Sequence, residues 1–340
     1  MTSSKAVIVA CVAALVLAAC AESGPISPEP GAGPGIDEPV PAEPAPEEPT
    51  PEASGPAVPD SGPVIPSDDA CSDPAGCAQH GVIEPTTPAD PSQPSALPGR
   101  YPFWVLQLNL CNSGIAKCYE GGAAVPEGAG VIADTAPDVV TLNEVCQPDV
   151  AQLATTLAGV YTGSTVVWAF KAARNRGTGG PYKCKNGTDY GIGLVAHIPA
   201  PFNGVETYSG IYASQDPGSG EERAWLCLNA VGNFYACTTH LAAGNGTVAL
   251  NQCKDLMNNI IPSVRVSGGG YAPTVVAGDL NMKYRGSPNA QSCVPGGYYR
   301  KGDGDVQHVI ASTDLAFSSS RSIGMSHTDH DAWFVATTAP

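Results

Sequence analysis

Positive charge is missing from a long part of this chain. Residues 21–99 contain no lysine or arginine, yet they hold 20 of the 33 prolines and 14 of the 32 acidic residues of the whole sequence. Such a Pro/Glu/Ala-rich segment cannot form a packed core, and its like charges repel one another, so an extended, disordered tether is expected over 21–99. Also lacking is a long apolar run: the stretch from Ala6 to Leu17 is too short for a comfortable membrane span. There is no C-x-x-C pair and no Cys/His cluster, which argues against structural zinc. No internal repeat is present.

What the first twenty residues do have is Lys5 ahead of that apolar stretch, which Leu17-Ala18-Ala19-Cys20 closes. Small residues before a cysteine resemble a bacterial lipoprotein signal. Residues 1–20 are therefore expected to direct export, with Cys20 lipidated and the chain anchored on the extracellular face of a bacterial membrane. The formal net charge of −16 is mostly the tether's. Residues 100–340 carry 15 basic and 18 acidic side chains, a net of −3, so the low isoelectric point says little about what the folded part binds.

Those 241 residues fit one large domain. Of twelve cysteines, ten remain after Cys11 and Cys20, an even number in an exported protein, which implies disulfides. Cys71 and Cys77 are expected to close a small loop. Cys227 and Cys237 flank a hairpin turn at Gly232-Asn233 and should face each other.

Short β-rich runs dominate, at 103–110, 139–142, 166–170, 191–197, 224–231, 234–241, 273–277, 306–311 and 332–336. Helical spacing appears over 125–136, 149–157 and, most strongly, 247–261. Many strands with few helices between them predict an α+β fold of packed sheets.

The chemistry sits where the apolar runs end. They close on Asn109, on Glu144, on His240, on Gly278-Asp279-Leu280-Asn281, and on Thr328-Asp329-His330 just before Ala332. Asp279 and Asn281 leave a strand on the same face. Together these are hard oxygen donors plus two imidazoles, a set suited to Mg²⁺, Mn²⁺ or Ca²⁺ rather than a soft metal.

In order and type, Leu108-Asn109, Leu142-Asn143-Glu144, Thr239-His240-Leu241, Gly278-Asp279-Leu280-Asn281 and Thr328-Asp329-His330 resemble the motifs of the endonuclease/exonuclease/phosphatase (deoxyribonuclease I-like) family. The resemblance spans residues 103–335. It implies a four-layered α/β sandwich, two mostly antiparallel sheets flanked by helices, with the site at one edge. It also implies a divalent cation on Glu144 with Asn109 beside it, and Asp329 assisting the metal or positioning His330. Asp279 would orient or deprotonate the attacking water, and Asn281 would hold that water or a phosphate oxygen. His240 and His330 would stabilise charge on phosphorus or protonate the leaving oxygen, and Arg223 would contact phosphate. One departure stands out: Gln307 occupies the place of an aspartate that orients the last histidine, with Asp305 and Asp314 near enough in sequence to compensate.

Five basic residues, Lys171, Arg174, Arg176, Lys183 and Lys185, fall within fifteen positions of a Gly-rich segment. Read as a backbone-tracking loop, they point to a polyanion, and hence to a monomeric nuclease acting on nucleic acid. No protein partner is implied. The alternatives are a sphingomyelinase-type phospholipid phosphodiesterase, which needs an apolar loop such as 268–271 or 295–299, and an inert binding module on the same scaffold.

Overall fold

The computed structural model describes residue 67, residues 77–86 and residues 100–340. The signal segment, Cys20, Cys71 and most of the tether lie outside them. The chain runs through β1 (Gln79–Ile83), β2 (Tyr101–Asn109), helix α1 (Ala124–Thr135), β3 (Val139–Cys146), helix α2 (Gln147–Val160), β4 (Thr165–Ala172), β5 (Arg174–Asn175) and β6 (Tyr190–Ile198). Then come β7 (Val205–Ile211), β8 (Glu221–Glu222), β9 (Ala224–Ala230), β10 (Phe234–His240), and helices α3 (Gly246–Asp255) and α4 (Ile261–Ser267), joined by a π-helical turn. Last are β11 (Thr274–Asp279), β12 (Tyr298–Gly302), β13 (Gln307–Ser312), β14 (Ala316–Ile323) and β15 (Ala332–Ala339).

Seven strands form one sheet in the order β1-β4-β6-β3-β2-β15-β14, and six form a second in the order β12-β13-β11-β10-β9-β7. Period-2 alternation sends one set of side chains between the sheets and the other outward onto helices. Phe103, Val105 and Val139 of the first sheet meet Leu226, Ala236 and Val275 of the second in the central core. The outward residues Leu106, Leu108 and Leu142 pack on Val125 and Ile132 of α1 and on Val150 and Leu153 of α2. Cys237 and Val276 pack on Ala249 of α3 and Val264 of α4. The layers are thus helices, sheet, sheet, helices, the expected four-layered sandwich.

Only β2/β3 and β10/β11 pair in parallel; the other pairs within these two sheets are antiparallel. A parallel pair brings two carboxyl ends to the same side, and its antiparallel neighbours bring amino ends there. The ends of β2, β3, β10 and β11 therefore meet the starts of β9, β13 and β15. That convergence assembles the site.

The tether expectation fails at one place. Gln79–Ile83, inside the Pro-rich segment, is an edge strand antiparallel to β4 in the register Gln79↔Phe170 to Ile83↔Val166. Its Gly81 lies against Trp168, with no room for a Cβ beside the indole. Among cysteine pairs, Cys227–Cys237 forms directly across β9/β10 as expected. Cys111–Cys118, Cys146–Cys184 and Cys253–Cys293 join it, and Cys77 is also disulfide-bonded.

Candidate active site

Backbone geometry at the site is costly. Glu144 (φ 55°) and Asn281 (φ 51°) both adopt left-handed conformations. Asparagine tolerates that region; glutamate does so at a cost of about 1–3 kcal/mol, which persists only where the surroundings over-determine it. At Glu144 the surroundings are a β-bulge: the β3/β6 register shifts between Leu142 and Val145. Gly278 is obligatory for a different reason, since a Cβ there would lie 2.0 Å from the Thr239 carbonyl oxygen of β10. This close approach sets His240 directly beside Asp279 in the β10/β11 register.

Buried amides tie the two sheets together beneath the site. Asn143 Oδ1 accepts from the Asp279 backbone N–H at 2.6 Å and from Gln107 Nε2 at 2.7 Å, while its Nδ2 donates to the Thr239 carbonyl at 3.1 Å. Gln107 accepts from Thr141 in turn. In the sequence Asn143 is only the neighbour of Glu144, yet in the fold it links the two halves.

The carboxylates and imidazoles converge above this floor. Asn109 Nδ2 donates to Glu144 Oε1 and to Asp279 Oδ2, both at 3.1 Å. The same Asp279 Oδ2 lies 3.6 Å from His330 Nε2 and 4.0 Å from His240 Nε2, and Glu144 Oε1 is 3.9 Å from His240 Nε2. Asp279 Oδ1 accepts from the Asn281 backbone N–H at 2.9 Å, and Asn281 Nδ2 donates to the Leu241 carbonyl at 2.8 Å. Burial raises the Asp279 carboxyl above the ordinary carboxylate range; the neighbouring His330 and the Asn281 and Asn109 hydrogen bonds oppose this. A carboxyl so placed is suited to accept a proton from water.

Arg223 does not point to solvent. Its Nη1 lies 2.7 Å from Glu221 Oε1 and 2.8 Å from His240 Nδ1, and the guanidinium also hydrogen-bonds Tyr190. Burial works against its charge, but Glu221, Tyr190, Glu144 and Asp279 outweigh that and raise its pKa. An arginine can only donate, so His240 Nδ1 must accept. The ring proton is then on Nε2, which faces Glu144 and Asp279. Burial, then Arg223 and His330, hold His240 well below the ordinary imidazole range. It is a neutral donor with a fixed tautomer. Arg223 thus has a positioning role toward His240, with Glu221 and Tyr190 as its unforeseen supports.

Other expectations change as well. Asn109 turns its nitrogen to the carboxylates and its Oδ1 accepts from the Cys111 N–H at 3.2 Å, so it positions Glu144 and Asp279. Asp329 has a half-exposed side chain 3.8 Å from His330 Nε2. Its other close neighbours are Cys111 and Cys118, the one group of close donors among the described residues, and their sulfurs are joined in a disulfide. Gln307 is fully buried opposite Asp279, and neither its Oε1 nor its Nε2 has a hydrogen-bond partner, so it does not orient His330. Asp305 pairs with Lys283, and Asp314 accepts from Tyr271 and Ser312, so neither compensates.

The basic segment is largely spent internally. Lys171 is buried in β4, Arg174 and Arg176 pair with Glu222, and Lys183 pairs with Asp189. The Cys146–Cys184 disulfide pins the segment, and Lys185 packs its stem on Gly114.

A sandwich of two sheets between helices, with this cluster on one edge, defines the scaffold that the sequence motifs imply. A sequence model of the endonuclease/exonuclease/phosphatase family matches residues 129–330, and the chain belongs to that family. Its members are phosphoester hydrolases that generally use divalent metal ions, commonly Mg²⁺. A family protein from Bacteroides thetaiotaomicron is similar in structure, with a TM-score of 0.50 at 10% identity, covering 71% of this chain and 99% of that one. A family protein from Beutenbergia cavernae gives 0.49 at 19% identity over 70% of this chain and 72% of that one. A mannosyl-6-phosphatase from Bacteroides thetaiotaomicron gives 0.48 at 12% identity over 68% and 98%. No match was found among curated proteins.

Proposed function

We propose that this chain hydrolyses phosphodiester bonds in nucleic acid, using a divalent cation bound beside Glu144. The observation that carries the reading is the meeting of both imidazole Nε2 atoms on one buried carboxylate oxygen of Asp279, at 3.6 and 4.0 Å. The cation fits the donor chemistry: Glu144 and Asp279 are hard oxygen donors on one asparagine, and no free thiolate is near. Bound there, it supplies Lewis-acid stabilisation of charge on a phosphoryl oxygen.

The protein's own groups do the rest. Asp279 orients the attacking water and takes its proton. Asn281 fixes Asp279 Oδ1 through its backbone N–H. His240 offers Nε2–H to a phosphoryl oxygen as a neutral donor whose tautomer Arg223 sets, and such a preorganised donor is worth about 10²–10³ in rate. His330, partly exposed between Asp279 and Asp329, is placed to donate to the leaving oxygen. The protein is further read as an exported lipoprotein anchored through Cys20. Incorporation of labelled palmitate that survives Cys20→Ala would remove that part.

Digestion of plasmid and oligonucleotide with Mg²⁺, Mn²⁺ or Ca²⁺, with and without chelator, tests the activity. Cleavage should require the cation and vanish in Asp279→Ala. Release of phosphocholine from sphingomyelin liposomes with no cleavage of nucleic acid would move the assignment to a phospholipid; no hydrolysis of either in any ion would leave an inert scaffold.

A further inference from the structure

The loop that leaves the site after Asn281 carries an exposed aromatic ring and an exposed arginine. Directly after Asn281 the chain turns through residues 283–292 and borders an open surface cleft lined by Tyr284, Arg285, Asn289, Gln291 and Ser292. Tyr284 is 48% exposed and carries the Arg300 guanidinium over its ring at 4.3 Å, a contact that braces the aromatic plane. Arg285 is exposed and, among the described residues, has no ion pair, in contrast to Arg174, Arg176 and Lys183.

The loop is held at both ends. Cys293 is disulfide-bonded to Cys253 of α3, and Asn289 caps the short turn that follows by accepting from the Ser292 N–H at 3.1 Å. At its start, the Met282 carbonyl accepts from buried His308 Nε2 at 2.7 Å, and His308 Nδ1 takes Arg300 Nη1 at 2.7 Å. His308 is adjacent to Gln307, the cross-strand partner of Asp279, so the cleft is registered on the catalytic strand. Tyr284 follows Asn281 by three residues, a reach of about 10 Å in an extended chain.

We propose that this cleft binds the nucleotide unit next to the scissile phosphate, its base stacked on Tyr284 and its outer phosphate paired with Arg285. The proposal rests on the nucleic-acid reading above. An exposed, braced aromatic face beside an unpaired arginine is the arrangement that holds single-stranded nucleic acid without reading its sequence.

Binding of a fluorescein-labelled single-stranded oligonucleotide, followed by anisotropy in chelator so that nothing is cleaved, tests it. Tyr284→Ala should weaken binding by about tenfold and Tyr284→Phe should restore it, because stacking needs the ring and not the hydroxyl. Arg285→Gln should also lower the slope of log K against log salt by about 0.7, the value for one single-strand phosphate contact. In Mg²⁺, kcat/KM on the oligonucleotide should fall about tenfold further in Tyr284→Ala than kcat/KM on bis(p-nitrophenyl) phosphate, which has no base. Wild-type-like oligonucleotide binding by Tyr284→Ala and Arg285→Gln, or wild-type protein that does not bind the oligonucleotide, would overturn the cleft. Loss of hydrolysis on both substrates in Asp279→Ala speaks only to the catalytic reading, so the two failures separate.

Discussion

Arg223→Gln is the sharpest test of how this site sets its protons. In the wild type Arg223 Nη1 is 2.8 Å from His240 Nδ1 and 2.7 Å from Glu221 Oε1, with both side chains of the ion pair largely buried, at 11% and 17% exposure. Removing the guanidinium has two separable consequences. Glu221 loses its partner, and breaking a buried pair costs about 3–5 kcal/mol. Burial already raises the Glu221 carboxyl, so uptake of a proton caps that cost and the lower end is expected. The second consequence is chemical. His240 loses the donor that fixes its proton on Nε2, and one of the causes that hold its pKa down, though burial, the larger cause, remains. Loss of a fixed donor to the phosphoryl oxygen predicts a fall in kcat of about 10²–10³. The double variant Glu221→Gln/Arg223→Gln should recover most of the thermal stability and none of the rate. The assay is Mg²⁺-dependent hydrolysis of bis(p-nitrophenyl) phosphate, with melting curves and ¹⁵N spectra of the imidazoles in parallel. Wild-type spectra should show His240 Nδ1 unprotonated from pH 5 to 8. A protonated Nδ1, or an unchanged kcat in folded Arg223→Gln, would refute the tautomer argument.

Three further outcomes follow from other residues. Burial pushes buried His308 down to about 4, so between the unfolded imidazole value near 6.5 and that value the unfolded chain binds the extra proton. Stability from this group is full above pH 6.5 and falls as pH drops toward 4, by at most about 1.4 kcal/mol per unit; urea midpoints at pH 7 and 4.5 should show this, and His308→Gln should flatten the difference. Glu144→Gly removes left-handed strain and should stabilise the cation-free protein by about 1 kcal/mol, while abolishing the rise in melting temperature produced by Mg²⁺. A retained rise would take Glu144 out of the cation site. Arg176→Ala and Lys183→Ala should leave oligonucleotide affinity and its salt slope unchanged, because Glu222 and Asp189 already neutralise them. A slope lowered by about 0.7 in either variant would restore the 171–185 segment as a phosphate track.

What could be read from the sequence was whatever a single residue at a strand end announces. Asn109, Glu144, His240, Asp279 and His330 each close or precede an apolar run, and because both parallel pairs lie inside their sheets, those ends had to meet. Disulfide Cys227–Cys237 was legible for the same reason, since a hairpin fixes its own register. The misreadings concern partners. Arg223 is as compatible with a phosphate as with an imidazole until the chain sets Glu221, Tyr190 and His240 around it. Lys171 looks like part of a loop because Lys-Ala-Ala-Arg lacks strand residues, but β4 continues to Ala172 and buries it. Composition misled at Gln79–Ile83, where five residues of a Pro-rich segment complete a sheet edge that β4 would otherwise expose. Charge counting could not show the partners either: of the five clustered cations, Lys171 lies in the core and Arg174, Arg176 and Lys183 each have a carboxylate beside them. Arg285, exposed and without an ion pair among the described residues, has only Lys283 as a basic neighbour in sequence and would not be chosen by a count of clustered charge. Its significance comes from position, four residues beyond Asn281 and beside a braced aromatic ring, and position is supplied by the His308–Met282 and Cys253–Cys293 ties rather than by local pattern.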